Sequence, residues 1–193
     1  MARIPYPDLT GLPEQARAAL DSMVAPLNLI HMCAHSPGLV APIVKLSTAV
    51  LMRMRMPPRL REMLILRTAS RVGCDYVLTQ HRTIARGLGM SAGEIDAICA
   101  DGARWAGFSE ADLRLLEAAD RIVRDTTLPP EMLVGLTRWL SHSQLVELFV
   151  VVGHYRMLSG LLNGLAVDID PHGESFAELA AHHDAPGHQT RVP

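Results

Sequence analysis

Apolar residues recur every three or four positions through most of the chain, and no run alternates long enough to compete as a strand, so the pattern predicts helices throughout. LPEQARAALDSMV carries Pro13 in its first turn, where a missing amide costs nothing, and Pro26 limits it. LNLIHMCAH is expected to be a short helix stopped by SPG, and GLVAPIVKLSTAVLMRM then keeps helical spacing until Pro57 and Pro58. The proline pair opens PRLREMLILRTASRVG, where Leu60, Leu64, Ile65, Ala69 and Val72 make a broad apolar face. Gly73 is the expected break before CDYVLTQHRTIARGLG, which Gly87 and Gly89 close. Ser91 with Glu94, and Ser109 with Asp112, have the spacing of capping boxes ahead of two further helices. PPEMLVGLTRWL and the long SQLVELFVVVGHYRMLSGLLNGLAV complete an all-α, multi-helix bundle.

Composition agrees: 49% hydrophobic residues with only 4% aromatic, rich in Ala, Leu and Met, favour packed helices over sheets. At 193 residues one compact domain is expected. The reading divides the chain into an N-terminal helical extension (1–26), a helical domain (27–170) and a tail (171–193) that is poor in large apolar residues and rich in His, Pro and Gly. Leu145 to Val167 has the length of a membrane span, but Glu147, His154, Arg156 and Asn163 would be costly in hydrocarbon, so a buried helix is expected. A net charge of −2 gives no reason to expect nucleic acid or an anionic membrane as partner and leaves a small molecule or another protein. Three cysteines, Cys33, Cys74 and Cys99, do not make a secreted disulfide framework, and with no apolar N-terminal signal the expectation is a cytoplasmic protein.

The chemistry-bearing stretch is RVGCDYVLTQH, Arg71 to His81. In one helix Cys74 and His81 fall within about 20° of each other around the axis, two turns apart. A break at Gly73 puts Cys74 in the first turn or at the cap, where free amides and the helix dipole favour a thiolate. A turn there could also fold the preceding helix back so that Glu62 approaches His81, and a carboxylate, an imidazole and a thiol together make a proton relay. The bland alternatives are a core cysteine, a surface histidine, and a Glu62 that simply pairs with Arg59 or Arg61.

RLREMLILRTASRVGCDYVLTQHRTIARGLGMSAGEIDAI resembles the carboxymuconolactone decarboxylase and alkylhydroperoxidase D-like superfamily. Its redox members carry a Glu, then C-x-x-C, then a His three residues after the second Cys; Glu62, Cys74 and His81 match at the family's intervals. NLIHMCAHSPGLVAPIVKL and LVELFVVVGHYRMLSGLLNGLAVDID are similar to flanking regions of that family, so the resemblance runs from about Leu27 to Asp170. It implies an alkylhydroperoxidase D-like bundle, no metal or other cofactor, and a homo-oligomer, trimer or hexamer. Val77 stands where the redox relatives have their second cysteine, and neither Cys33 nor Cys99 replaces it at that spacing, which speaks against dithiol chemistry. The resemblance therefore points to a decarboxylase-like enzyme of lyase or isomerase type, acting on a small organic acid or lactone by proton transfer. A single-cysteine peroxidase-like protein and a non-catalytic member are the alternatives.

On this reading His81 is the acid/base, Glu62 orients it, and Cys74 is a pocket thiol. Tyr76, His154 and Tyr155 are candidate pocket residues, and Arg67 or Arg71 is the candidate cation for a substrate carboxylate. His31 and His35 lie one turn apart but lack a third metal ligand, and the tail histidines His172, His182, His183 and His188 lack a supporting shell.

Overall fold

The computed structural model describes residues 1–23, 27–100 and 105–170, and among these it contains helices and no strand. Nine helices follow in order: α1 (Glu14–Asp21), α2 (Asn28–Cys33), α3 (Pro37–Met52), α4 (Pro58–Arg71), α5 (Asp75–Gly87), α6 (Ala92–Cys99), α7 (Glu110–Asp125), α8 (Pro130–Leu136) and α9 (His142–Leu165). The expected stop at Pro26 and the tail from 171 onward lie outside the described residues.

The helix boundaries follow local chemistry. Pro13, Pro57 and Pro129 precede α1, α4 and α8, where their fixed φ suits a helix entry. Ser109 and Asp112 form the full reciprocal capping box, and Ser141 with Gln144 forms a second one at the start of α9. Ser91 caps α6 by accepting from the Glu94 amide, but the Glu94 carboxylate is taken by Arg59 at 2.6 Å, so the expected box is only half made. SPG does more than stop a helix: Ser36 precedes α3 and Pro37 opens it. Gly73 has φ of +62°, a left-handed turn that a side chain would oppose, and this reverses the chain between α4 and α5.

Helix α4 is the axis of the bundle, packed by α5, α6, α7 and α9. Arg61 through Ala69 are all buried, nine consecutive residues with no solvent-facing stripe. A helix covered on all sides must satisfy its polar residues inside the protein, as Arg61, Glu62 and Arg67 of α4 do, while Thr68 Oγ1 has no hydrogen-bond partner among the described residues. Helix α9 is long and apolar enough to cross a membrane by length and composition, yet it also supplies the core residues Leu148, Val151, Val152, Tyr155 and Leu158. The N-terminal segment is fastened to the end of α9: the Arg3 amide donates to the Leu165 carbonyl at 2.8 Å and the terminal amine lies 3.0 Å from Asp168.

Candidate active site

Because Gly73 folds α5 back along α4, Glu62 and His81 meet. The wholly buried Glu62 accepts at Oε2 from Nδ1 of His81, 2.7 Å away, and at Oε1 from Nε of Arg61 at 3.1 Å. A carboxylate only accepts, so the proton of this contact sits on His81 Nδ1 and fixes the tautomer. Nε2 is left as the working nitrogen, with no hydrogen-bond partner among the described residues. Arg61 also donates to the Leu51 carbonyl, which anchors it behind Glu62.

His81 lies on the wall of a cavity of about 70 Å³ formed by α2, α3, α5 and α9. The remaining wall is mostly apolar, from Leu29, Leu51, Val77, Leu158 and Leu162, with Ser47, Tyr76, Gln80 and Tyr155 interleaved. Larger concavities of about 450 Å³ lie beside α7 and α8 and at the end of α9, and neither includes His81 or Glu62.

Tyr155 meets the His81 ring edge-on, with centroids 4.9 Å apart, and meets His154 in the same way at 5.4 Å. Burial pushes its phenol well above the ordinary value, and the nearby Glu62 charge adds to this. His154 does not line the cavity but holds Ser47, which does, through Nε2 at 3.0 Å. Burial, with a smaller push from His81, drives His154 down to about 4, so it is neutral at physiological pH.

Tyr76 lines the cavity with its ring, but its hydroxyl is committed: it donates to Asp170, and burial together with that carboxylate pushes the phenol up. Asp170 also accepts from the Gln80 amide at 3.2 Å and from the Asn28 backbone at 2.7 Å, which ties the end of the described chain to α2 and α5.

Besides His154, which stands behind the wall and not on it, three expectations change. Arg67 does not reach the cavity; it pairs with Asp120 of α7 at 2.6 Å and donates to the carbonyls of Ile98 and Ala100 beyond α6. Arg71 turns the same way, donating to the Cys99 carbonyl at 3.0 Å. Their positions on α4 point them at the open carbonyls of a neighbouring helix end, so neither supplies a cation to the site. Cys74 does immediately precede α5, as expected for a cap, but it is wholly buried in the core and is not on the cavity wall. His35 donates its ring nitrogen to the Pro5 carbonyl at 2.8 Å, and among the described residues no group of three or more His, Cys, Asp or Glu is placed to hold a metal. Sequence reasoning missed Ser47, Gln80 and Asp170, and took Arg61 only as a surface-type partner of Glu62; no spacing signal marks any of them.

The site is thus a buried Glu–His pair at a reversed helix hairpin, with His81 bordering a small apolar cavity. Residues 37–121 match the carboxymuconolactone decarboxylase family, a span that holds Ser47, Glu62, Cys74 and His81. In structure the chain is similar to an alkylhydroperoxidase AhpD core, an uncharacterized peroxidase-related protein from Ralstonia eutropha JMP134 (TM-score 0.77, 16% identity, covering 90% of this chain and 94% of that one). An uncharacterized peroxidase-related protein from Silicibacter sp. TM1040 is equally similar (TM-score 0.77, 14% identity, 90% and 94%). The debrominase Bmp8, solved with 2,3,4-tribromopyrrole as a cysteine-to-alanine variant, also shares the fold (TM-score 0.69, 16% identity, 93% and 96%). Among curated proteins none matches. The family match thus spans less than half of the chain, and the described residues have the all-α fold of these AhpD-like structures.

Proposed function

We propose that the protein is a carboxymuconolactone decarboxylase-like enzyme, of lyase or isomerase type, in which His81 moves a proton at a small lactone or related carbonyl compound. The observation that carries this reading is the 2.7 Å Glu62–His81 contact, which holds Nε2 as the free nitrogen of a side chain on the cavity wall. Glu62 fixes the tautomer and would stabilise the imidazolium formed when Nε2 takes a proton; Arg61 and the Leu51 carbonyl hold Glu62 in place.

The cavity lining narrows the substrate. Among the described residues it contains no lysine or arginine, and Arg67 and Arg71 are engaged elsewhere, which favours an uncharged lactone or carbonyl compound over a free carboxylate. A debrominase of similar fold was solved with a small bromopyrrole, which supports a small cyclic substrate. A single-cysteine peroxidase requires peroxide to reach the thiol, and the complete burial of Cys74 favours the acid/base reading over it. Exposed Val146, Val150 and Met157 along α9 support the further proposal of a homo-oligomer.

The test is proton–deuterium exchange next to the carbonyl of small lactones and cyclic ketones, followed by NMR in D2O. The wild-type protein is expected to catalyse exchange in at least one of them, and His81→Gln to slow it by roughly 10²–10⁴-fold, the usual range for a general acid/base. Exchange undiminished in His81→Gln would end this reading.

A further inference from the structure

Ser47 enters the cavity from α3, and its Oγ lies 3.0 Å from Nε2 of His154 on α9. The other ring nitrogen of His154, Nδ1, is buried and has no hydrogen-bond partner among the described residues. Its two neutral tautomers therefore strand different groups. A proton on Nδ1 would leave a buried N–H donor unused, whereas a proton on Nε2 leaves only an unused acceptor lone pair. Orphaned buried N–H groups are rarer in native proteins than under-used acceptors. The favoured tautomer is thus Nε2–H, which donates to Ser47 Oγ. That contact uses Ser47 as an acceptor and leaves its own hydroxyl proton available. Burial keeps His154 neutral, so the arrangement is the same across the physiological pH range.

We propose that Ser47, held by His154, is a catalytic hydrogen-bond donor that receives the carbonyl oxygen of the substrate on which His81 acts. The proposal rests on the acid/base reading of His81 and adds the second half of its chemistry. When His81 Nε2 takes a proton from the carbon next to the carbonyl, the C–H electron pair moves toward oxygen and forms an enolate. The Ser47 hydrogen bond strengthens as that oxygen gains charge. The proton then returns from Nε2 to the same or the conjugated carbon, so the step is an isomerisation with no other reactant. Ser47 thereby selects for a cyclic lactone or enone, whose oxygen accepts, over a hydrocarbon ring of the same size that offers no acceptor.

Two measurements on the full chain test this. Histidine ¹⁵N NMR is expected to show His154 as the Nε2–H tautomer, untitrated down to pH 5; the Nδ1–H tautomer overturns the proposal. Infrared spectra of 2-cyclopentenone and γ-butyrolactone are expected to show a carbonyl band shifted to lower frequency on binding. The shift should disappear in Ser47→Ala and return in Ser47→Thr, which restores the hydroxyl. Failure of both probes to bind at millimolar concentration, or a shift that survives Ser47→Ala, overturns it. The His81→Gln variant separates the two readings. A Ser47-dependent shift retained there while exchange also persists upholds the Ser47 site and sinks the His81 reading, whereas exchange lost with His81→Gln but a shift indifferent to Ser47 does the reverse. If both hold, Ser47→Ala is expected to slow exchange by roughly 10²–10³-fold, the usual loss for one oxyanion donor.

Discussion

Helix α4 carries two buried arginine–carboxylate systems less than two turns apart, and they do different things. At Arg67 the guanidinium is spent on protein groups: it meets Asp120 and two carbonyls at the end of α6. At Arg61 the chain of contacts passes through Glu62 to His81 and ends on a ring nitrogen with no partner among the described residues, on a residue that borders an apolar cavity. A fully satisfied buried charge network ties helices together. One that leaves a single unspent group beside a cavity can act on a ligand.

The sharpest way to break this comparison is to remove the unspent group. His81→Gln should cut proton exchange by roughly 10²–10⁴-fold while changing stability by only about 1 kcal/mol, since Glu62 keeps Arg61; chemical denaturation alongside the exchange rate reads both. Arg67→Met should do the opposite. It leaves the Ile98 carbonyl without its donor and Asp120 with only the longer contact to Arg71, and because Asp120 is 29% exposed and partly hydrated the expected loss is about 3 kcal/mol, toward the lower end for a broken buried pair. The exchange rate per folded molecule should be unchanged, and a comparable fall in activity would erase the distinction between the two networks.

Acid provides a smaller perturbation, directed at the neighbour of the His81 system. His154 has a folded-state value of about 4, below the ordinary 6.5 of an unfolded chain, so as pH falls the unfolded state takes up the proton first. Its contribution to stability is complete above pH 6.5 and is lost between there and about 4, amounting to at most about 3 kcal/mol. Denaturation curves of wild type and His154→Gln should therefore converge as pH falls through that window, and parallel curves would contradict it. The smallest effect is expected at Cys74. Cys74→Ala removes a buried thiol that is not on the cavity wall and should cost about 1 kcal/mol with little change in exchange. A rate loss comparable to that of His81→Gln would return the thiol to the mechanism.

Much of this site was legible as spacing. Glu62, Cys74 and His81 stand at intervals that a helix, a glycine turn and a second helix convert into proximity, and the structure does bring Glu62 and His81 together. The cation was not legible. On a helix with one exposed face, polar residues sort themselves by periodicity, but Arg61 to Ala69 are buried on every side, so nothing in the pattern says that Arg67 turns to α7 while Glu62 turns to α5. Ser47, Gln80 and Asp170 come from three separate segments, with Asp170 reaching Asn28 across 142 residues. Each is an ordinary polar residue in its own neighbourhood, and only the closure of the bundle gives it a role.

By itself the sequence determined the all-α class and most helix boundaries, and it marked Glu62 and His81 as a pair that a turn at Gly73 could join, because capping residues, proline, glycine and helical period act within a few residues of where they stand. The tertiary structure decided which nitrogen of His81 is free, that Arg67 and Arg71 serve helix ends and not a ligand, that Cys74 is enclosed, and that Ser47 shares the cavity with His81. Those outcomes depend on which faces of four helices meet, and contact between faces is set by packing over the whole domain, which no local pattern encodes.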